Sequence, residues 1–132
     1  MAEPLGQLDF IYMPSSDVAR DLAFYTGVLG GEVAFAIEAF GTRVAEVRVA
    51  EGPRLLLAEH LGPEEQPLLV HRVDDLDAKV AELEGRGLEV EAHFGFPHGP
   101  GAALRTPGGQ RIALYELTRP GADERLAGRR DF

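Results

Sequence analysis

The chain has 132 residues, which is the size of one ordinary domain. Its 45% hydrophobic and 27% charged residues exclude wholesale disorder, and no apolar run approaches the length of a membrane-spanning helix. The net charge of −9 disfavours nucleic acid and membrane surfaces as partners, and the lack of cysteine excludes disulfides. Since Met1–Pro4 lack the features of a secretory signal, we expect a cytoplasmic protein. With nucleic acid and membranes disfavoured, a small organic molecule is the expected partner.

The first half of the chain predicts a strand, a helix and three further strands. Asp17 offers the side-chain oxygen of a helix N-cap, apolar residues follow it at helical spacing, and Gly30 and Gly31 end the helix. Glu51-Gly52 is the predicted two-residue turn between the last two strands. The predicted elements are, in order, strand 7–13, helix 18–29, and strands 32–37, 42–49 and 54–60.

The second half repeats this order at an offset of about 57 residues. Asp75 caps its helix, and Gly85 and Gly87 close it. Because each half is too small to bury its own sheet face, the halves must pair, either within one chain or across a dimer. The predicted elements are strand 67–73, helix 76–83, and strands 88–93, 102–105 and 110–117, with a Phe/Pro/Gly loop after residue 93.

The last residues predict a C-terminal extension, 119–132, outside the core. It begins with Pro120-Gly121 and contains few apolar residues. The alternative is that Leu126 and Phe132 dock on a partner subunit. We therefore predict a single domain over residues 1–132, with a first module at 5–60 and a second module at 66–118.

Two motifs resemble the vicinal oxygen chelate superfamily, which includes glyoxalase I, extradiol dioxygenases, methylmalonyl-CoA epimerase, and fosfomycin- and bleomycin-resistance proteins. The first is LDFIYMPSSD at residues 8–17 followed by AFYTGVLGG at 23–31, and the second is TPGGQRIALY at 106–115. The resemblance covers Leu5 to about Thr118. It implies an α+β fold in which two tandem βαβββ modules form an open, barrel-like sheet with a cavity.

The resemblance also implies a divalent metal, held by His, Glu or Gln from the first and last strands of each module. In this chain the corresponding positions carry side chains that cannot bind a metal: Phe10, Leu56, Leu68 and Ala113. The histidines match no compact ligand set: His60, His71, His93 and His98. We therefore expect neither a metal nor another cofactor.

Strand alternation predicts which side chains line the cavity, because residues of the same parity point to the same face. Leu104 is expected opposite Arg111 across the last hairpin, and His71 is expected to face away. The predicted substrate-binding residues are Phe10, Tyr12, Leu56, Leu68, Arg72, His98, Leu104, Arg111, Ala113 and Tyr115. They predict an apolar, aromatic pocket with a few polar groups; the alternative is that they fill a collapsed core.

Two classes of function fit these residues. The first is a metal-free protein that sequesters a flat organic molecule, for which the acidic surface favours a cation. The alternative is a glyoxalase- or dioxygenase-type lyase or oxidoreductase with a displaced metal site or a metal-independent mechanism, whose base would be Glu59, His60 or His98. A structural or regulatory dimer without a ligand is a third alternative. Because each module exposes a sheet edge, we expect a homodimer.

Overall fold

The computed structural model describes residues 5–60 and 66–132, so the Met1–Pro4 segment considered above lies outside the described residues. Each half of the described chain contains a strand, a helix and three strands, as the sequence repeat predicts. The elements are β1 (Leu8–Pro14), α1 (Val18–Gly27), β2 (Glu32–Ala39), β3 (Thr42–Arg48), β4 (Arg54–Ala58), β5 (Leu68–Val73), α2 (Leu76–Glu84), β6 (Ala92–Phe96), β7 (Gly99–Arg105), β8 (Arg111–Glu116) and α3 (Ala122–Leu126). None of the helices in the described ranges has the length and apolarity needed to span a membrane.

The strands form one eight-stranded sheet with the order β2-β3-β4-β1-β5-β8-β7-β6. The antiparallel pair β1–β5 joins the two halves, so the modules pair within one chain. Strands β2 and β6 are the two ends of the sheet and do not pair with each other, so the sheet is open. The predicted α+β fold of two tandem βαβββ modules is therefore confirmed. The homodimer stays a prediction.

Both faces of the sheet are covered by side chains. One face carries the core cluster that includes Phe10, Tyr12, Phe35 and Tyr115, which come from the central strands and from the edge strand β2. The other face is covered by the two helices, α1 over the first half and α2 over the second. Since residues of both end strands join the central strands in one cluster, the sheet curves around it.

Both helices begin with the same pair of caps. The carboxylate of Asp17 accepts a hydrogen bond from the Arg20 amide at 3.1 Å, and that of Asp75 accepts one from the Ala78 amide at 3.0 Å. In each module a glutamate at the end of the last strand accepts a hydrogen bond from the first amide of the helix. Glu59 accepts from the Val18 amide and Glu116 from the Leu76 amide, both at 2.8 Å. These four carboxylates satisfy amides that have no partner inside the helix. Glu59, a candidate base above, therefore has a structural role.

Two predicted strands in the second half are displaced. Strand β6 begins at Ala92 rather than at residue 88, and β7 begins at Gly99 rather than at residue 102. The glycines that suggested a loop are required by close packing inside the sheet. A Cβ on Gly99 would lie 2.0 Å from the carbonyl oxygen of Glu116, and one on Gly101 would lie 2.9 Å from the Phe94 ring.

The predicted two-residue turn at Glu51-Gly52 is wrong, because five residues, 49–53, connect β3 to β4. The two-residue turn of the first half is instead Phe40-Gly41, between β2 and β3. Both residues have positive φ, 55° and 76°, as a type I′ turn requires. Asn and Gly are the residues that usually occupy these positions, so a phenylalanine gave no turn signal in the sequence.

The C-terminal segment, 119–132, packs on the domain, which corrects the prediction of an extension outside the core. The Ala36 amide donates to the Arg129 carbonyl at 2.8 Å, and the Asp131 amide donates to the Ala36 carbonyl at 2.7 Å. The segment thereby pairs with β2, whose outer edge is not occupied by any of the other strands in residues 5–60 and 66–132. An edge strand presents unpaired amides and carbonyls, and the chain's own C-terminus satisfies part of them.

The side chains of this segment also contact the domain. Leu126 packs against the core cluster of Phe10 and Tyr115, and Phe132 packs against the cluster under α1. The Arg43 guanidinium lies 4.9 Å from the centre of the Phe132 ring. Both side chains thus pack within the chain, and the alternative in which they also dock on a partner subunit stays a prediction.

Candidate functional site

Six of the ten predicted substrate-binding residues lie together in one core cluster, and each is at most 5% exposed. They are Phe10, Tyr12, Leu56, Leu68, Ala113 and Tyr115. Four of them occupy the positions at which the resemblance implies metal ligands, and these four are apolar and in one cluster. Strand parity therefore placed the four side chains on the correct face of the sheet. Whether any of the six contacts a substrate stays a prediction.

Leu104 does not face this cluster, so its predicted position is wrong. It pairs with Ile112, and Arg111 pairs with Arg105. The connection between β7 and β8 holds five residues, 106–110, and this shifts the register by one. Since a shift of one residue moves a side chain to the opposite face, Leu104 packs beside α2.

Arg72 lies near the C-terminal end of β5, a central strand of the sheet. Its Nε is 3.6 Å from Oδ2 of Asp9, and the hydroxyl of Tyr115 donates to the same carboxylate. Burial and this hydrogen bond both raise the pKa of Tyr115 above its ordinary value. The Asp9 side chain reaches Tyr115 because the pairing of β1 with β5 shifts between Leu8 and Phe10.

A cleft opens between the two halves, and both halves contribute lining residues. It consists of two adjoining cavities of about 430 and 360 Å³, which share Tyr12, His60 and Gly95. The larger cavity extends to the β2–β3 hairpin and the smaller one to Phe94, Leu68 and Arg111. Burial raises the pKa of Tyr12 to about 12, so its hydroxyl stays protonated. Of the predicted residues, the cleft is lined by Tyr12, Leu68 and Arg111.

Four charged or polar side chains form a second feature, which we call the ionic cluster: Glu46, Arg54, His98 and Asp123. Arg54 Nη1 is 2.9 Å from Oε2 of Glu46, and Nη2 is 3.3 Å from Oδ2 of Asp123. His98 Nε2 is 2.7 Å from Oδ1 of Asp123. The Arg54 guanidinium and the His98 ring both lie against Phe10, at 5.3 and 4.7 Å. Separate parts of the chain thus build one cluster: β3, β4, the β6–β7 turn and α3.

The carboxylates of the ionic cluster differ in their affinity for a proton. Burial raises the pKa of Glu46 from its ordinary 4.5 to about 7, against the opposing charge of Arg54. Its Oε1 is buried and has no hydrogen-bond partner within the described residues, which explains why a proton is favoured there. For Asp123, burial acts in the same direction, but the hydrogen bond from His98 and the charge of Arg54 outweigh it and lower the pKa.

The ionic cluster contains the donor types that divalent metals accept. One atom each from Glu46, His98 and Asp123 lies within 4.8 Å of the others. However, the Arg54 guanidinium contacts both carboxylates, and His98 Nε2 is hydrogen-bonded to Asp123. An ion would have to displace Arg54 to reach both carboxylates, so the residues do not fit a metal in this arrangement. Donors nevertheless exist outside the four positions considered above, and the metal-free site stays a prediction.

Sequence reasoning missed Glu46 and Asp123. Glu46 lies in β3 between Ala45 and Val47, and all three residues are buried. A lone glutamate in a strand that is apolar on both sides was the available signal, because an ionised side chain is rarely buried there without a partner. Asp123 gave no local signal, since it meets Arg54 across 69 residues of chain.

The sequence profile of the Glyoxalase/Bleomycin resistance protein/Dioxygenase superfamily matches residues 7–114. The chain belongs to this superfamily. No curated protein matches the chain closely enough to be compared. The C-terminal segment that carries Asp123 lies beyond the matched residues.

Solved structures of the superfamily fold resemble the whole domain. Methylmalonyl-CoA epimerase from Mycobacterium tuberculosis is 22% identical, with a TM-score of 0.71 over 89% of this chain and 93% of that chain. A variant of the Streptomyces coelicolor methylmalonyl-CoA epimerase in complex with 2-nitronate-propionyl-CoA is 19% identical, with a TM-score of 0.72 over 88% and 97%. A hypothetical protein from Bacillus halodurans C-125 is 16% identical, with a TM-score of 0.70 over 83% and 93%. At these identities the likeness establishes the fold alone.

Proposed function

We propose that this superfamily member is an enzyme that removes and returns a proton at a carbon next to a carbonyl group, with Glu46 as the base. The observation that carries this proposal is the buried Glu46 carboxylate, of which one oxygen is held by Arg54 and the other has no partner in the described structure. A base whose pKa is about 7 is suited to accept and return a proton near neutral pH. Glu46 is not one of the four positions at which the resemblance implies metal ligands, so the proposed reaction centre is displaced from them.

Glu46 lies next to the wall of the cleft. Val44 lines the cleft and is two residues from Glu46 on the same strand, so the two side chains share a face about 7 Å apart. A substrate in the cleft would therefore have its reacting carbon beside Val44, and the Val44 side chain would have to move aside for that carbon to reach Glu46, which is buried and lines neither cavity. The remainder of the substrate would lie against the Tyr12 and His60 rings, which contact each other edge to face with their centres 5.8 Å apart.

The residues of the ionic cluster divide the work of proton transfer. The Glu46 carboxylate takes the proton, the electron pair of the broken C–H bond forms a carbon–carbon double bond, and the π pair of the carbonyl group moves to its oxygen. The Arg54 guanidinium stabilises the negative charge on that oxygen. Two carboxylates and the face of Phe10 hold the guanidinium in place, so its positive charge is oriented before the reaction begins. Return of the proton from Glu46 to carbon restores the carbonyl. His98 and Asp123 hold Arg54 in position.

The relatives support proton transfer over simple binding. Two of the similar structures are methylmalonyl-CoA epimerases, and one of them is in complex with 2-nitronate-propionyl-CoA. Epimerisation at a carbon beside a thioester requires removal of its proton, which is the first part of the step described above. The comparisons therefore favour the enzymatic alternative over the metal-free sequestering protein that the apolar residues suggested.

A non-catalytic binding protein is the second candidate. The observation that favours it is the cleft, which is lined mainly by apolar side chains and has the volume of a small-molecule site. The two candidates differ in what Glu46 does. Replacing Glu46 removes proton transfer in the first and leaves function unchanged in the second.

The test is hydrogen exchange in D₂O. Methylmalonyl-CoA and other acyl thioesters with a substituent at the second carbon are incubated with the protein, and deuterium gain is measured by mass spectrometry. Glu46→Gln should slow the exchange by about 10²–10⁴-fold, whereas Glu91→Gln, at an exposed ion pair with Arg105, should not change it. Equal rates in Glu46→Gln and wild type would remove Glu46 as the base. Tight binding without exchange in the wild type would favour the binding protein.

A further inference from the structure

We infer that Asp123 of the C-terminal segment is a positioning residue for the proposed base: it holds one nitrogen of the Arg54 guanidinium and so keeps Arg54 from binding both oxygens of Glu46. The inference rests on the proposed function, because Asp123 acts on Glu46 through Arg54. Three observations carry it: the division of the Arg54 nitrogens between two carboxylates, the Glu46 oxygen that this leaves over, and the contacts that fix Asp123.

Arg54 contacts the two carboxylates with different nitrogens. Its Nη1 lies 2.9 Å from Oε2 of Glu46, and its Nη2 lies 3.3 Å from Oδ2 of Asp123. An arginine and a single carboxylate often form a fork, in which two nitrogens bind the two oxygens side by side. An end-on fork on Glu46 would need both Nη1 and Nη2. The contact of Nη2 with Asp123 therefore competes with that fork.

The second oxygen of Glu46, Oε1, is the one that can accept a proton from a substrate. It is buried and has no hydrogen-bond partner among the described residues, whereas Oε2 already accepts from Arg54. A fork would place Nη2 on Oε1, hold the carboxylate in its ionised form and weaken it as a base. Burial raises the pKa of Glu46 to about 7 against the charge of Arg54, and the negative charge of Asp123 acts in the same direction as burial. Glu46 is therefore the stronger base while Asp123 holds Nη2.

Contacts within the fold fix the position of Asp123. His98 Nε2 lies 2.7 Å from its Oδ1, which leaves Oδ2 for Arg54. Burial favours the protonated form of Asp123, but the hydrogen bond from His98 and the charge of Arg54 lower its pKa, so the ionised carboxylate accepts from both. The surrounding segment is held by Leu126, which packs against the core cluster, and by backbone hydrogen bonds with Ala36. A carboxylate fixed in this way can retain Nη2 while the base gains and loses its proton.

The ¹³C NMR signals of the glutamate carboxyl groups test the inference without a substrate. The Glu46 signal is the one that disappears in Glu46→Gln, and its titration is compared in the wild type and in Asp123→Ala. Without Asp123, Nη2 is available to Oε1, so the midpoint of the Glu46 titration should fall by about one pH unit or more. Glu124→Ala is the matched control and should keep the wild-type midpoint, because Glu124 is an exposed carboxylate on the same helix. An unchanged midpoint in Asp123→Ala would overturn the inference.

Asp123→Asn separates the contact with Nη2 from the charge of Asp123. The amide oxygen of an asparagine can still accept from Nη2, although the negative charge is gone. The Glu46 midpoint in Asp123→Asn should therefore lie closer to the wild type than the midpoint in Asp123→Ala. Equal midpoints in the two variants would mean that only charge acts on Glu46, which overturns the positioning role. Both variants should fold, because the Asp123 side chain is 43% exposed, and urea denaturation checks this.

Deuterium exchange into the thioester separates this inference from the proposed function. The maximal exchange rate should fall by about tenfold or more in Asp123→Ala and by less in Asp123→Asn, and the pH midpoint of exchange should move with the NMR midpoint. Exchange that is unchanged while the Glu46 titration has moved contradicts Glu46 as the base and leaves the contact of Asp123 with Arg54 standing. A Glu46 titration that does not move contradicts the positioning role even if Glu46→Gln abolishes exchange.

Discussion

The two halves of the domain keep the same helix caps but differ at the centre of the sheet. Asp17 and Asp75 accept from the first turn of their helices, and Glu59 and Glu116 close the same turns from the strand ends. The offset is 58 residues for the aspartates and 57 for the glutamates. The parts that determine the path of the backbone are therefore repeated.

The same offset relates residues that do not have the same surroundings. Arg54 begins β4 and Arg111 begins β8, 57 residues later. The neighbouring strand carries Glu46 opposite Leu56 in the first half, but Ala103 opposite Ala113 in the second. Consequently Arg54 forms an ion pair with Glu46, for which the second half has Ala103, and Arg111 borders a cavity of about 360 Å³. The two halves therefore differ at this position by the Glu46 carboxylate in the first and the Ala103 methyl group in the second.

The largest expected effect on stability comes from replacing Arg54, and the matching replacement of Arg111 provides the comparison. Arg54→Met leaves Glu46 and Asp123 close together without their shared cation and should lower the free energy of unfolding by about 2–4 kcal/mol. This value is below that of a fully buried pair because the Arg54 side chain is 35% exposed. Arg111→Met should lower the free energy of unfolding by less, because Ala103 stands where the first half has Glu46 and no carboxylate loses its cation at that position. Urea denaturation at pH 8 measures both, and equal losses would mean that the halves do not differ in this way.

The pH dependence of stability tests the carboxylate that distinguishes the halves. Burial raises the pKa of Glu46 from 4.5 to about 7, so the folded protein holds this proton more tightly than the unfolded chain. The resulting stability is fully present below pH 4.5 and is lost as the pH rises through about 7. Its size is on the order of 1–3 kcal/mol. The pKa of Asp123 is lowered from 3.8, so its opposite contribution falls below this window.

Glu46→Gln should therefore flatten the stability profile between pH 5 and pH 8. Urea midpoints at several pH values measure the slope, with Glu91→Gln as the control that should keep the wild-type slope. A wild-type slope in Glu46→Gln would show that another group titrates in this range.

The comparison of the halves also explains what the sequence could predict. The helix caps and the apolar faces of the central strands depend on residues close together in the chain, so spacing alone located them. The position of Leu104 depended on one residue of loop length, and parity then placed it on the wrong face. The Arg54–Asp123 contact joins β4 to a segment beyond the repeat, and no local pattern encodes it.

A smaller, equal effect is expected in both halves at the helix caps. Asp17→Ala and Asp75→Ala each remove an acceptor for a first-turn amide and should each lower the unfolding free energy by about 1 kcal/mol. Urea denaturation of the two variants side by side gives the comparison. A difference larger than the effect itself would mean that the repeated sequence does not make equivalent helix starts.

The smallest expected effect concerns divalent metals. Zn²⁺, Ni²⁺ or Mn²⁺ should not raise the melting temperature of the wild type, because the Arg54 guanidinium already contacts both carboxylates of the ionic cluster. Arg54→Ala removes that cation and leaves Glu46, His98 and Asp123 within reach of one ion. At 10–100 times its dissociation constant an ion would then stabilise this variant by about 1–3 kcal/mol. Arg111→Ala should not respond, since Ala103 stands where the first half has Glu46. A saturable rise in the wild type would instead show that an ion displaces Arg54.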